Sequence, residues 1–257
     1  MNRITQLIVL TACVAGCDAG VERSGESHRA AEATVAAPTA SREALTSLQP
    51  RTTRAGTLRF TGPMVRTEVA TEVFLQRLGS GAESVPTRIA LADALPRTAG
   101  EYGEALVALM AEEPDASVRA TMVASLRTAG ATPALAGLRN ALSDDDARVR
   151  AAAARTAARR PDGDALREPL LRAASDTDAE VKVAAMRSLG VLGVSEAQTL
   201  LGAELSATDA EVRLAAVRAL HRIDPAHAKT LPGVVALAGD SDARVSKAAA
   251  KALAARP

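Results

Sequence analysis

The chain has 257 residues, with 31 Lys plus Arg against 30 Asp plus Glu, so its net charge of +1 points to neither nucleic acid nor an acidic substrate. Aromatic residues are nearly absent: Phe60, Phe74 and Tyr102, with no Trp. A core of Ala, Val and Leu implies closely packed helices and disfavours a sandwich or barrel, which draws on β-branched and aromatic alternation. The only cysteines, Cys13 and Cys17, stand near the start, which leaves the rest of the chain without a disulfide, a thiolate nucleophile or a cysteine metal site.

The first seventeen residues, MNRITQLIVLTACVAGC, place Arg3 before an apolar run from Ile4 to Leu10 and then small residues. The run is too short to span a membrane and suits a secretory signal. Val14-Ala15-Gly16-Cys17 resembles the bacterial lipobox, which implies a signal peptide over residues 1–16 and a lipidated Cys17. Leu10-Thr11-Ala12-Cys13 fits the same pattern; Cys17 is preferred because cleavage before Cys13 leaves a very short signal. The resemblance implies a lipid-anchored protein of a bacterial cell envelope and leaves open whether inner or outer membrane.

Residues 17–63 are rich in Ala, Ser, Thr, Gly and charge, with no sustained apolar period. Such a segment buries too little surface to offset its ordering entropy and reads as a flexible tether. Within it, Thr57–Gly62 (TLRFTG) is a candidate short strand. Arg42, Arg51, Arg54, Arg59 and Arg66 make its end basic.

Residues 64–257 repeat. The stretch Asp178–Leu189 (DAEVKVAAMRSL) returns thirty-one residues later as Asp209–Leu220 (DAEVRLAAVRAL). With the valine as anchor, the equivalent positions are Thr87, Val118, Val149, Val181, Val212 and Val245, spaced 31, 31, 32, 31 and 33 apart. Six copies at a near-constant period mean stacked supersecondary units. Apolar or small residues recur three, four and eight positions after each anchor, on one helical face. A second amphipathic segment precedes each anchor helix after the first, as in Thr132–Ser143 (TPALAGLRNALS) and Ser195–Ser206 (SEAQTLLGAELS). The unit is a hairpin of helix A and helix B, and the expected fold is an all-α solenoid of about six hairpins.

The pattern D-x-x-V-R/K-x-x-A, seen as DASVRATM, DARVRAAA, DAEVKVAA and DAEVRLAA, resembles HEAT repeats, and among them the short HEAT-like repeats of phycobilin lyases. That resemblance implies the fold and is nearly silent on function, because such arrays serve scaffolds, adaptors and a few enzymes.

Two charges recur with the anchor. An Asp stands three residues before it in copies two to six (Asp115, Asp146, Asp178, Asp209, Asp242), and a basic residue follows it in copies one to five (Arg88, Arg119, Arg150, Lys182, Arg213). The absences fall at opposite ends. The expectation is therefore a ladder in which each base meets the next copy's Asp: Arg88–Asp115, Arg119–Asp146, Arg150–Asp178, Lys182–Asp209 and Arg213–Asp242. Each Asp is also suited to cap helix B.

Function is sought on helix B, which lines the concave side in related arrays. Offset +6 reads Asp93, Ala124, Arg155, Arg187, Arg218 and Lys251, and offset +2 includes Val183 and Leu214. With both offsets pointing away from the buried face, Arg155, Val183, Arg187, Leu214, Arg218 and Lys251 are expected to form a groove for a protein carrying acidic groups. The competing reading of these cations is a solvated face whose arginines complement the helix dipole.

No cofactor or metal is expected. The acidic turns lack the twelve-residue spacing, Gly and closing Glu of a calcium loop. His28, His221 and His227 form no His-Glu pair of the kind that holds iron in some HEAT-like enzymes. Without aromatics for base stacking, nucleic acid is not an expected partner. Two functions follow: a membrane-anchored scaffold or adaptor that binds an unidentified protein and is not an enzyme, or a lyase or isomerase related to the bilin lyases.

Overall fold

The computed structural model describes residues 42–254; Cys13, Cys17 and the first part of the tether lie outside the described residues. The described residues form one unit. It opens with helix α1 (Arg42–Ser47) and a two-stranded antiparallel hairpin, β1 (Arg51–Thr52) against β2 (Leu58–Arg59), with Arg51 opposite Arg59. The candidate strand at Thr57–Gly62 is thus realised as β2.

Six hairpins follow. Copy one pairs α2 (Glu68–Gly79) with α3 (Val85–Ala94), copy two α4 (Gly103–Glu112) with α5 (Ala116–Ser125), and copy three α6 (Ala131–Ala141) with α7 (Ala147–Ala157). In copy four a 3-10 turn leads into α8 (Arg167–Ala173) before α9 (Ala179–Leu192), and in copy five another leads into α10 (Gln198–Ala203) before α11 (Ala210–Ile223). Copy six comprises α12 (Pro225–Ala228), α13 (Pro232–Ala236) and α14 (Ala243–Ala254). Among the described residues no helix is long and apolar enough to cross a membrane.

Each B helix begins where its sequence says it should. The carboxylates of Asp115, Asp146, Asp178 and Asp209 accept backbone N–H groups in the first turns of α5, α7, α9 and α11, and Asp242 does the same for Arg244 and Val245. Those donors have no partner within the helix, so each cap contributes about 1 kcal/mol. In copy one Ser84 stands at the cap and makes no side-chain cap bond; its hydroxyl meets Thr87 Oγ1 at 3.0 Å instead. The anchors Val118, Val149, Val181 and Val245 are wholly buried, as are Ala185, Ala215 and Ala216. Small residues let successive B helices approach closely. A Cβ on Gly190 of α9 would lie 2.8 Å from the Cα of Ala219 in α11. Ser125 and Ser188 use the same proximity: each hydroxyl donates 2.8 Å to a carbonyl of the preceding B helix, Ala92 and Ala154.

The expected tether boundary at residue 63 moves. Residues 42–63 pack on copy one, with Leu45 and Phe60 buried. Phe60 meets Phe74 of α2 at 4.9 Å between ring centroids, and the Arg77 guanidinium lies 5.4 Å above the Phe60 ring. Arg77 Nη1 also donates to the carbonyls of Leu45 and Leu48, at 3.3 and 2.6 Å. Two of the arginines expected at the end of a solvated tether are engaged, Arg42 with Glu72 and Arg59 with Asp93. Composition missed this because only two large apolar side chains, Leu45 and Phe60, anchor the segment. The hairpin and α1 give copy one the covering that a terminal repeat requires.

Candidate protein-binding face

Helix B carries two lines of charge. The first is the ladder, and it is displaced from its expected partners. Arg119 forks onto Asp144, with Nε to Oδ2 at 2.9 Å and Nη2 to Oδ1 at 2.8 Å. Arg150 forks onto Asp176, Arg213 onto Asp240 and Arg88 onto Glu113 in the same way, and Lys182 meets Glu204 at 2.9 Å. None of the five reaches the capping Asp predicted for it. In the four forked rungs the acceptor lies two residues before the cap, and its carboxylate also accepts the cap residue's own N–H, as from Asp146 to Asp144 at 2.9 Å. The caps are spent on helix N–H groups instead. Each arginine further donates Nη1 to carbonyls five or six residues before it; Arg119 takes Glu113 and Pro114, both at 3.0 Å. One side chain thus ties its own A–B turn to the next repeat. Copy five has Ala207 where the acceptor would stand, and the base reaching toward it is Lys182, whose point charge turns to Glu204 instead.

Paired in this way, the acidic edge is largely neutralised from within. Burial works against ionisation of Asp144, but Arg119 and the Asp146 N–H hold its carboxyl below the usual range; Arg150 does the same for Asp176 and Arg213 for Asp240. Arg148 draws Asp146 down to about 2, and Arg244 draws Asp242 to about 2. Two shallow open depressions, of about 210 and 330 Å3, lie along this edge, the larger lined by Met110, Glu113, Arg119 and Asp144 among others. Among the described residues no cluster of three or more His, Cys, Asp or Glu is placed to hold a metal ion.

The second line is the expected groove. Arg155, Arg187, Arg218 and Lys251 are all exposed, at one offset on successive B helices. Val183 and Leu214 are not part of it: they are 8% and 2% exposed. Offset +2 is also buried at Ala151, half-buried at Ile89 and Ala120, and exposed at Lys247, beyond which no further repeat is described. Stacking between B helices covers it. The polar line has a second member at offset −1, and the two interlock. Arg155 pairs with Glu180 of the next helix at 2.9 Å, and Arg187 with Glu211 at 3.1 Å. Arg244 reaches back to the same Glu211 and to Asp242. Nothing in the one-dimensional pattern fixed this interlock, although Glu180 and Glu211 stand at equivalent positions in their repeats.

Six stacked helical hairpins, whose B helices adjoin one another along the array, define an α-solenoid. The HEAT repeats family model matches residues 103–190, 135–211 and 199–257, and the chain belongs to that family. No curated protein matches the chain. Solved structures similar to it include two engineered proteins, each 23% identical over 72% of this chain and 89% or 90% of their own, with TM-scores of 0.46 and 0.47. Another is a designed armadillo repeat protein in complex with a peptide (KR)4, 19% identical over 72% of this chain and 93% of its own, with a TM-score of 0.46.

Proposed function

We propose that this chain is a protein-binding scaffold of the bacterial envelope, held to a membrane by lipid on Cys17 and presenting its B-helix face to a partner. The observation that carries the reading is the line of exposed basic side chains at offset +6, from Arg155 to Lys251. A solenoid offers an extended surface rather than a cleft, and extended surfaces suit polypeptide partners. The sequence Val14-Ala15-Gly16-Cys17 supports the anchor.

Two measurements test the two halves. Acyl labelling and membrane fractionation of Cys17→Ala should show the label lost and the protein released; label that persists until Cys13 is replaced moves the anchor to Cys13. A pull-down with the full chain from detergent-solubilised envelope should enrich one protein. Enrichment of a chromophore or small ligand instead would replace the scaffold by the lyase-type enzyme.

A further inference from the structure

Every cation within the B helices of copies one to four is in an ion pair: Arg88, Arg119, Arg148, Arg150, Arg155, Lys182 and Arg187. The rule breaks in the last two copies. Arg218 and Arg222 of α11, and Lys247 and Lys251 of α14, are exposed and have no ion-pair partner among the described residues. The break has a specific cause. Offset +6 of one helix pairs with offset −1 of the next, as in Arg155–Glu180 and Arg187–Glu211. By that rule Arg218 should meet residue 244, and residue 244 is an arginine. Arg244 takes Glu211, which Arg187 already shares, so Arg218 is left opposite a like charge.

Their place in the last described repeat accounts for Lys247 and Lys251, because no following helix is described to cover offset +2 or to pair with offset +6. It does not account for Arg218 and Arg222, which sit in the penultimate copy one turn apart on one face. Uncompensated cations gathered on two packed helices repel one another, and an anion placed among them removes that repulsion.

We infer that the B-helix face of copies five and six is an anion-binding site for a short acidic segment of a partner protein, centred on Arg218 and Arg222 with Lys247 and Lys251 beside them. This rests on the scaffold reading and names the chemistry of its partner. Neighbouring helices stand roughly 8–10 Å apart and residues one turn apart roughly 6 Å, spacings that alternate and every-third carboxylates of an extended chain can match. Val191 is 45% exposed at the same offset on α9 as Arg222 on α11, and offers apolar contact at the edge of the patch. The patch is finite: beyond Arg218 the same line carries the carboxylates of Glu211 and Glu180, which a continuous polyanion such as a bilayer surface would have to cross. A short acidic segment does not meet them.

The test uses the full chain carrying Cys17→Ala, so that no acyl group contributes, and fluorescein-labelled decaglutamate followed by anisotropy in low salt. Two variants remove the same charge: Arg218→Gln with Lys251→Gln, and Arg155→Gln with Arg187→Gln. The first should weaken binding at least fivefold and the second at most twofold, with unchanged helical circular dichroism in both. Equal losses would reduce the effect to long-range charge and overturn the site, as would absence of decaglutamate binding to the parent chain. Phosphatidylglycerol vesicles run in parallel should bind weakly; vesicles that displace the peptide and lose affinity in the first variant alone make the membrane the occupant and overturn the proposal. The two readings fail separately. Decaglutamate binding with an empty envelope pull-down removes the scaffold and leaves the site, whereas an enriched partner indifferent to Arg218→Gln with Lys251→Gln removes the site and leaves the scaffold.

Discussion

Arg119 bonds Asp144 through both arms of its guanidinium and leaves Asp146, two residues further on, to cap α7. The two carboxylates divide the work of a repeat boundary: one receives the preceding repeat, the other starts the next helix. Side chains 17% exposed on both sides shelter this fork from solvent. It contributes about 1 kcal/mol, less than the apolar seam beneath it but with a geometry that fixes how far one repeat advances on the next.

The equivalent boundary between copies three and four separates the two roles by mutation. Arg150→Ala and Asp176→Ala should each destabilise, and their double-mutant cycle should show coupling of about 0.5–1 kcal/mol in urea unfolding. Asp178→Ala should cost about 1 kcal/mol, for the Glu180 and Val181 N–H groups it caps, and couple to Arg150→Ala distinctly less. Stronger coupling to Asp178 than to Asp176 would reverse the assignment.

Copy five lacks the fork and can be given it. Lys182→Arg together with Ala207→Asp restores the Arg–Asp pair found at three other boundaries, and should raise stability by about 0.5–1 kcal/mol. Either change alone should do less, because the arginine then has no carboxylate in place or the aspartate no fork. A thermal melt of the three variants decides this: a double variant no better than the better single one disproves the geometric account of the lysine.

Gly190 tests the close approach of B helices. Gly190→Ala places a methyl 2.8 Å from the Cα of Ala219, a backbone atom that cannot move alone, and should cost about 1–3 kcal/mol. Gly202→Ala in α10 is the matched control. Nothing lies within 4 Å of its added methyl, and removing a helix-interior glycine should stabilise by about 0.5–1 kcal/mol. Parallel losses at both sites would deny that the α9–α11 approach is special.

The ladder and caps also set an acid limit. Asp144, Asp176 and Asp240 titrate below the usual carboxylate range in the fold, and Asp146 and Asp242 at about 2. A carboxylate whose folded pKa lies below its unfolded value near 3.9 binds more protons when unfolded, so its stabilisation is complete above about pH 5 and lost as pH falls through the folded value. The melting temperature should therefore hold from pH 7 to 5 and drop between about pH 4 and 2. A drop between pH 7 and 5 would place the acid limit elsewhere than in these carboxylates.

The sequence by itself determined the repeat, its period, the register of every B helix and the Asp caps of copies two to six. These depend on side-chain periodicity of 3.6 residues and on bonds spanning three residues or fewer, both written locally in the chain. Three things waited for the tertiary structure. Asp144 and Asp146 stand two residues apart, and only the folded arrangement decides that Asp144 receives Arg119 while Asp146 caps α7. Val183 and Leu214 look outward on a single helix and are buried because the neighbouring B helix covers their offset. Arg218 differs from Arg155 and Arg187 only in what stands across from it on the following helix, an arginine where they find Glu180 and Glu211. Each of these turns on contact between repeats more than twenty residues apart, and such contact is set by how one helix packs on the next, which no periodicity within a single repeat encodes.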